Sequence, residues 1–231
     1  KSSYEDLKWE VEVRSSNKNS KNQSISASFV IDASGRQSHF ARSLGVKRQI
    51  EDNLIACWVT LPNTTENTMS TISTSENGWW YSSLVPNNKR IVTFHTDADL
   101  ISKNELKTTE SFFKLSKGNK EISELLKGNE NTIEFQGTVA ANSTKLEQFT
   151  GCQWAALGDA ALSFDPLSSQ GMFNAMANAL QLKELIIKFD FITDLNYQNM
   201  EKFKVAYSNQ VEEIWKHYVK HKGIFYGEEM R

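Results

Sequence analysis

The residues best placed to do chemistry lie in two segments, each beginning where an apolar run ends. In the first, residues 154–180, WAALGDAALSFDPLSSQGMFNAMANAL, Asp159 closes a short strand-like run. A carboxylate at the carboxyl end of a strand can accept hydrogen bonds from sugar-like hydroxyls. Pro166 stiffens the loop that follows, and Gly171 permits close approach of a ligand to the backbone. The amides of Gly171, Met172 and Phe173 then open a helix, whose N-terminus carries about half a positive charge and favours anions. Ala175, Ala177 and Ala179 keep that helix slim. The second segment, residues 30–45, VIDASGRQSHFARSLG, is an apolar run, a glycine turn and a helix bearing Arg36 and Arg42. On residue types alone, a strand–loop–helix crossover with no ligand stays open for residues 154–180.

Other chemistry-bearing residues have bland readings beside the functional ones. Trp58, Trp79, Trp80, Tyr81, Phe94 and His95 fall on strand-like runs. Neighbouring strand residues point to opposite faces, so of Trp79 and Trp80 one packs in a core and the other can face a substrate. His95 is an orienting or acid–base candidate, or a hydrogen-bonded structural histidine. His217 and His221 have the i, i+4 spacing of zinc ligands, but Lys216, Lys220 and Lys222 surround them, which favours a solvated helix face. Asp97 and Asp99 read as a turn, and Cys57 and Cys152 as inert core thiols.

These residues need elements to hold them. Apolar–polar alternation predicts a strand over 7–14, then a polar tip over 15–24. The continuous run Phe29, Val30, Ile31 reads as a strand buried on both faces. Residues 54–61, 68–74, 78–85 and 90–96 are four strand-like runs with turn residues between them, the pattern of an antiparallel sheet. Helices are predicted over 103–116, 120–127, 171–188 and 197–222, and further strands over 132–139 and at the run before Gly158. On the last helix Met200, Phe203, Tyr207, Val211, Ile214 and Tyr218 form one stripe.

Composition limits the rest. The 231 residues carry 26 Lys+Arg and 28 Asp+Glu, a net charge of −2, with no basic field for nucleic acid. No apolar run approaches the roughly 18 residues of a membrane span, and the N-terminus lacks the apolar core of a signal peptide. Two cysteines are too few for a disulfide framework, which makes a reducing, cytoplasmic setting the default.

The two segments together resemble the FAD-dependent monooxygenase superfamily with the para-hydroxybenzoate hydroxylase fold, in particular its branch of flavin-dependent halogenases. DASGRQSHFAR is similar to that family's Asp-x-x-Gly-Arg-x-Ser segment, and GDAALSFDPLSSQGMFNAM to its Gly-Asp motif followed by Asp-Pro-x-x-x-x-Gly-Met. The resemblance implies an α/β fold with α+β character: the C-terminal part of an FAD/NAD(P)-binding fold, an antiparallel substrate sheet and C-terminal helices. It divides the chain into a partial FAD-binding part (1–45), a substrate sheet (46–145), an FAD-contacting segment (146–190) and a terminal helix (191–231). It implies FAD as cofactor. Asp159 would bind its ribityl or pyrophosphate part, with Gly35 and Arg36 near the diphosphate. Pro166 would lie by the reactive edge of the isoalloxazine, and Gly171 and Met172 would offer amides to its pyrimidine end.

Two departures from the family matter. The family opens with strand, G-x-G-x-x-G and helix to cradle the pyrophosphate; the 11 glycines here form no such motif. The expectation is a C-terminal portion without that unit, binding FAD weakly or not at all by itself. Halogenases also carry W-x-W-x-I-P. In GWWYSSLVP, Trp79 fits, but Tyr81 stands for the second Trp, and Ser83 and Leu84 for Ile and Pro. The resemblance then implies a monooxygenase in which a flavin C4a-hydroperoxide oxidises an aromatic or protein-bound substrate. GWWY with TDADL further resembles relatives that modify protein-bound tryptophan during quinone-cofactor maturation. Trp58, Trp79, Tyr81 and His95 are the substrate-facing candidates; a flavin reductase or NAD(P)H would supply electrons. A tryptophan-type halogenase, a geranylgeranyl-reductase-like saturase and, from another class, a non-catalytic binding module are the alternatives. No metal site is expected.

Overall fold

A computed structural model of the chain describes residues 2–5, 8–14, 22–64, 66–192 and 196–227. In chain order the elements are β1 (Ser2–Glu5), β2 (Lys8–Val13), β3 (Gln23–Ala27), β4 (Val30–Asp32), α1 (His39–Ser43), β5 (Arg48–Ile50), β6 (Leu54–Pro62), β7 (Thr71–Ser75), β8 (Gly78–Val85), β9 (Lys89–Asp97), α2 (Thr109–Ser116), α3 (Lys120–Leu126), β10 (Glu134–Ala140), β11 (Thr144–Leu146), β12 (Thr150–Gly151), β13 (Trp154–Ala156), β14 (Leu162–Ser163), α4 (Gly171–Phe189) and α5 (Tyr197–Gly227). Tight 3-10 turns occur at Gly35–Gln37, Lys103–Leu106, Gly158–Ala160 and Pro166–Ser168. The elements form two units: residues 1–50 with 143–231, and residues 51–142.

The inserted unit, 51–142, is built on an antiparallel sheet of order β10-β6-β9-β8-β7. Asn87 and Asn88 close the β8–β9 hairpin at φ of 66° and 52°, left-handed values that asparagine tolerates. One sheet face carries Cys57, Val59, Trp80, Val92 and Phe94. Phe112 of α2 and Ile122 and Leu126 of α3 cover it. Thr108 and Asn119 accept the amides of Ser111 and Ile122 and so start these two helices. Gly78 opens β8 against β9, where an added Cβ would lie 2.0 Å from the carbonyl oxygen of His95. Gly78→Ala must therefore push two paired strands apart. We expect it to cost about 1–3 kcal/mol in a urea titration; an unchanged midpoint would contradict this packing.

Among the described residues the other unit holds three small sheets: the meander β1-β2-β3, the antiparallel set β14-β11-β5, and β12-β13-β4, in which β13 and β4 run parallel. Its core contains Trp9, Ala41, Phe149, Trp154 and Phe164, packed with the apolar face of α5. Met200, Phe203, Tyr207, Val211, Trp215 and Tyr218 form that face at helical spacing.

Three expectations need correction. Trp215, rather than Ile214, continues the buried stripe of α5, and Ile214 is only partly buried. Ile31 is 48% exposed, because among the described residues β4 is an edge strand paired only with β13. Cys152 is exposed on the turn between β12 and β13, whereas Cys57 is buried and desolvation pushes its thiol up to about 12. Leu7 and most of the polar tip, residues 15–21, lie outside the described residues. Among the described residues no helix is long and apolar enough to cross a membrane.

Candidate functional site

Parallel pairing puts the carboxyl ends of two strands side by side. Here Ala156 of β13 is in register with Asp32 of β4, and the Leu157 amide donates to the Asp32 carbonyl at 2.9 Å. The turns that follow, Gly35–Gln37 and Gly158–Ala160, therefore emerge together, at the end of a parallel sheet where ligands characteristically bind. The Asp32 carboxylate is consumed locally. It accepts the Ser34 amide and hydroxyl on one oxygen and the Ala41 amide on the other, which fixes the glycine turn. Gly35 sits at φ 69° with open space where a Cβ would be. Arg36 reaches back across the turn. Its Nη2 donates to the Phe164 carbonyl at 2.9 Å, and its Nε lies 4.0 Å from Asp159 Oδ2.

The Asp159 turn is held just as closely. Gly158 adopts φ 58°, and a Cβ there would lie 3.0 Å from that of Ala175, so α4 packs tightly on the turn. Asn178 Oδ1 accepts the Gly158 amide at 3.3 Å and lies 3.0 Å from the Tyr207 hydroxyl. That buried hydroxyl also donates to the Ala156 carbonyl at 2.6 Å, and burial pushes its pKa above the ordinary tyrosine value. The Asp159 side chain itself stays 40% exposed. A Cβ on Gly171 would lie 3.9 Å from Asp159 Oδ1, so the carboxylate and the opening of α4 are neighbours. α4 has no side-chain cap and no acidic residue in its first turn. Met172 is 78% exposed. The positive helix end thus faces outward with no protein carboxylate in its first turn.

The loop into α4 is pinned on both flanks. Asp165 is buried; its Oδ1 accepts the Leu167 amide at 2.8 Å and its Oδ2 the Tyr226 hydroxyl at 2.6 Å. Pro166 is left exposed on the turn between them. A cleft of about 330 Å³ beside this loop is lined by Asp165, Leu167, Gln170, Tyr218, Phe225 and Tyr226. The structure thus brings Gly35, Arg36, Asp159 and Gly171 together, with Met172 at the same helix opening. The sequence did not mark Asn178 or Tyr207 as supports of this arrangement, nor Asp165 as more than the first residue of the Asp-Pro motif, since their partners lie far off in sequence.

In the inserted unit, register places the four substrate-facing candidates on one sheet face. Trp79 pairs with His95, and Tyr81 pairs with Thr93, which pairs in turn with Trp58. Trp80 points the other way and is fully buried in the core. The Trp79 and His95 rings stack at 3.7 Å and 6°. Both are buried, and among the described residues neither Trp79 Nε1 nor His95 Nδ1 has a hydrogen-bond partner. Burial pulls His95 down to about 4, so the ring is neutral at neutral pH. His217 and His221 lie on the exposed side of α5.

No family model matches the chain. LodB of Marinomonas mediterranea, assigned as an FAD-dependent oxidoreductase, is 29% identical over 178 residues. That match covers 76% of this chain, which spans about half (48%) of LodB. Among solved structures, the flavin-dependent halogenase CmlS superposes with a TM-score of 0.77 at 22% identity, over 94% of this chain and 40% of CmlS. The chain thus has the fold of this part of the flavin-dependent halogenases of known structure. The halogenase PltM, in its complex with phloroglucinol and FAD, matches the same halogenase-like fold with a TM-score of 0.67 at 18% identity. There the match covers 88% of this chain and 44% of PltM.

Proposed function

We propose that this chain supplies the flavin-contacting and substrate-facing portion of an FAD-dependent oxidoreductase of the monooxygenase type. The observation that carries the reading is the outward-facing, uncapped opening of α4 beside the half-exposed Asp159, with Arg36 next to both. The donor set fits FAD. Asp159 is an acceptor for ribityl hydroxyls, Gly35 and Arg36 offer room and a cation for the diphosphate, and the Gly171 and Met172 amides suit the electron-rich pyrimidine end. Pro166 stands exposed on the loop that leads into α4, and its neighbours Asp165 and Leu167 hold that loop still. When bound, FAD supplies the two-electron chemistry; this chain's residues bind it, orient it and limit water around it.

Oxygen transfer to an aromatic ring, free or protein-bound, is the favoured reaction. Tyr81 breaks the paired-tryptophan pattern of halogenases, while Trp58, Trp79, Tyr81 and His95 share one aromatic sheet face. Halogenation is the second reading, favoured by the superposition on CmlS. A reductase or NAD(P)H would supply electrons in either case.

The edge of β4, open among the described residues and with Ile31 half exposed, is suited to a further parallel strand, and the cradle for the pyrophosphate would come from a strand–GxGxxG–helix unit. FAD titrated into the 231-residue chain should give little quenching of flavin fluorescence, and strong quenching once a second polypeptide carrying that unit is added. Tight quenching by the chain alone would contradict this division of the cradle. No quenching in either arm would remove the FAD reading.

A further inference from the structure

We propose that Arg48, a residue of neither flavin motif, is the positioning residue that locks the Asp159 turn against the glycine turn of the other motif. The inference rests on the FAD reading above. Arg48 lies on the three-residue strand β5, and its guanidinium is shared among segments far apart in sequence. Its Nη1 donates to the Ala160 carbonyl at 2.9 Å and to the Ser38 hydroxyl. Its Nη2 donates to the Asp159 carbonyl at 3.2 Å and the Ser163 hydroxyl at 3.0 Å. Nε and Nη2 together grip the Thr144 hydroxyl at 2.9 and 2.6 Å.

Every one of these acceptors is neutral. Arg48 is half-buried, and although the Asp159 and Asp32 carboxylates favour its charge, its hydrogen bonds go instead to neutral groups, among them the two carbonyls that shape the Asp159 turn. Ser38 completes the lock. It is fully buried at φ 44°, a left-handed value held at the N-terminus of α1, and its hydroxyl also donates to the Ala160 carbonyl at 2.8 Å. The turn after β4 and the turn after β13 are thereby joined through one planar fork. With its carbonyls engaged inward, the Asp159 turn keeps its carboxylate directed outward beside Gly171. Burial, with Arg36 and Arg42 nearby, pulls Arg48 down to about 10, so it stays charged at neutral pH, and its charge adds to the positive field around Asp159. Lysine cannot substitute, because a single ammonium cannot span acceptors on three segments.

The test uses the 231-residue chain and its Arg48→Met and Arg48→Lys variants. Hydrogen–deuterium exchange is expected to accelerate about tenfold or more at the amides of residues 36–41 and 158–163 in Arg48→Met, with α5 and β2–β3 unchanged. Arg48→Lys should fall between Met and wild type, and serves alone if the Met variant does not fold. In the two-polypeptide assembly described above, Arg48→Met should weaken FAD binding about tenfold, and the loss should vanish in an Asp159→Ala background. Unchanged local exchange, a uniform acceleration across the unit, or a loss additive with Asp159→Ala would each overturn the proposal. Local exchange is read without flavin. A wild-type assembly that binds no FAD, with the local exchange pattern intact, overturns the FAD reading and leaves the lock on the turn standing.

Discussion

Trp80→Ala should be the most damaging single truncation in the inserted unit, at about 3–5 kcal/mol. Its indole is fully buried, lies 4.6 Å from the Phe94 ring and meets Phe112 edge-on at 5.2 Å. The indole N–H donates to Ser75 Oγ at 2.9 Å, so the alanine leaves both a large cavity and an unpaired hydroxyl. The surrounding side chains come from a paired sheet and two capped helices and have little room to collapse. The next residue provides the control. Tyr81 projects from the opposite face and is only partly buried, so Tyr81→Phe should stay within about 0.5 kcal/mol. Urea denaturation of the three proteins decides the matter. A Trp80→Ala variant within 1 kcal/mol of wild type would mean that the core face of the sheet has been assigned to the wrong side.

Half of that assignment was readable in the sequence, because a strand has a period of two and adjacent tryptophans had to part; that Trp80 is the one that joins Phe94 is set by the β8–β9 register. The two motif segments were also readable, since each carries its chemistry within a short stretch, and the parallel pairing of β4 with β13 carries both to one sheet end. What was hidden depends on distance in sequence. Arg48 is one arginine in a three-residue strand, and its acceptors run from Ser38 to Ser163. Asn178 and Tyr207 look like ordinary helix residues until α4 and α5 are packed on the Gly158 turn. Cys152 misled because the residues beyond it are apolar while it sits at a turn. Ile31 misled because a β-branched run signals burial only when strands lie on both sides of it.

The stacked pair on the opposite sheet face should make the inserted unit sensitive to acid. His95 has a folded pKa of about 4 against an ordinary 6.5, because burial penalises the imidazolium. Its folded pKa is the lower of the two, so the unfolded chain binds the proton more readily. The contribution is fully present above about pH 6.5 and is lost as pH falls from there toward 4, amounting to about 3 kcal/mol once both states are protonated. Carboxylates also titrate in the lower part of this window. The useful quantity is therefore the difference between wild type and His95→Phe, which keeps a ring against Trp79 and removes the titration. Stability of the variant relative to wild type should improve by about 3 kcal/mol between pH 7 and pH 4, measured by urea midpoints at each pH. A difference flat with pH would show that His95 is already solvated or charged in the folded state. The buried, neutral imidazole stacked on Trp79 would then not describe the folded protein.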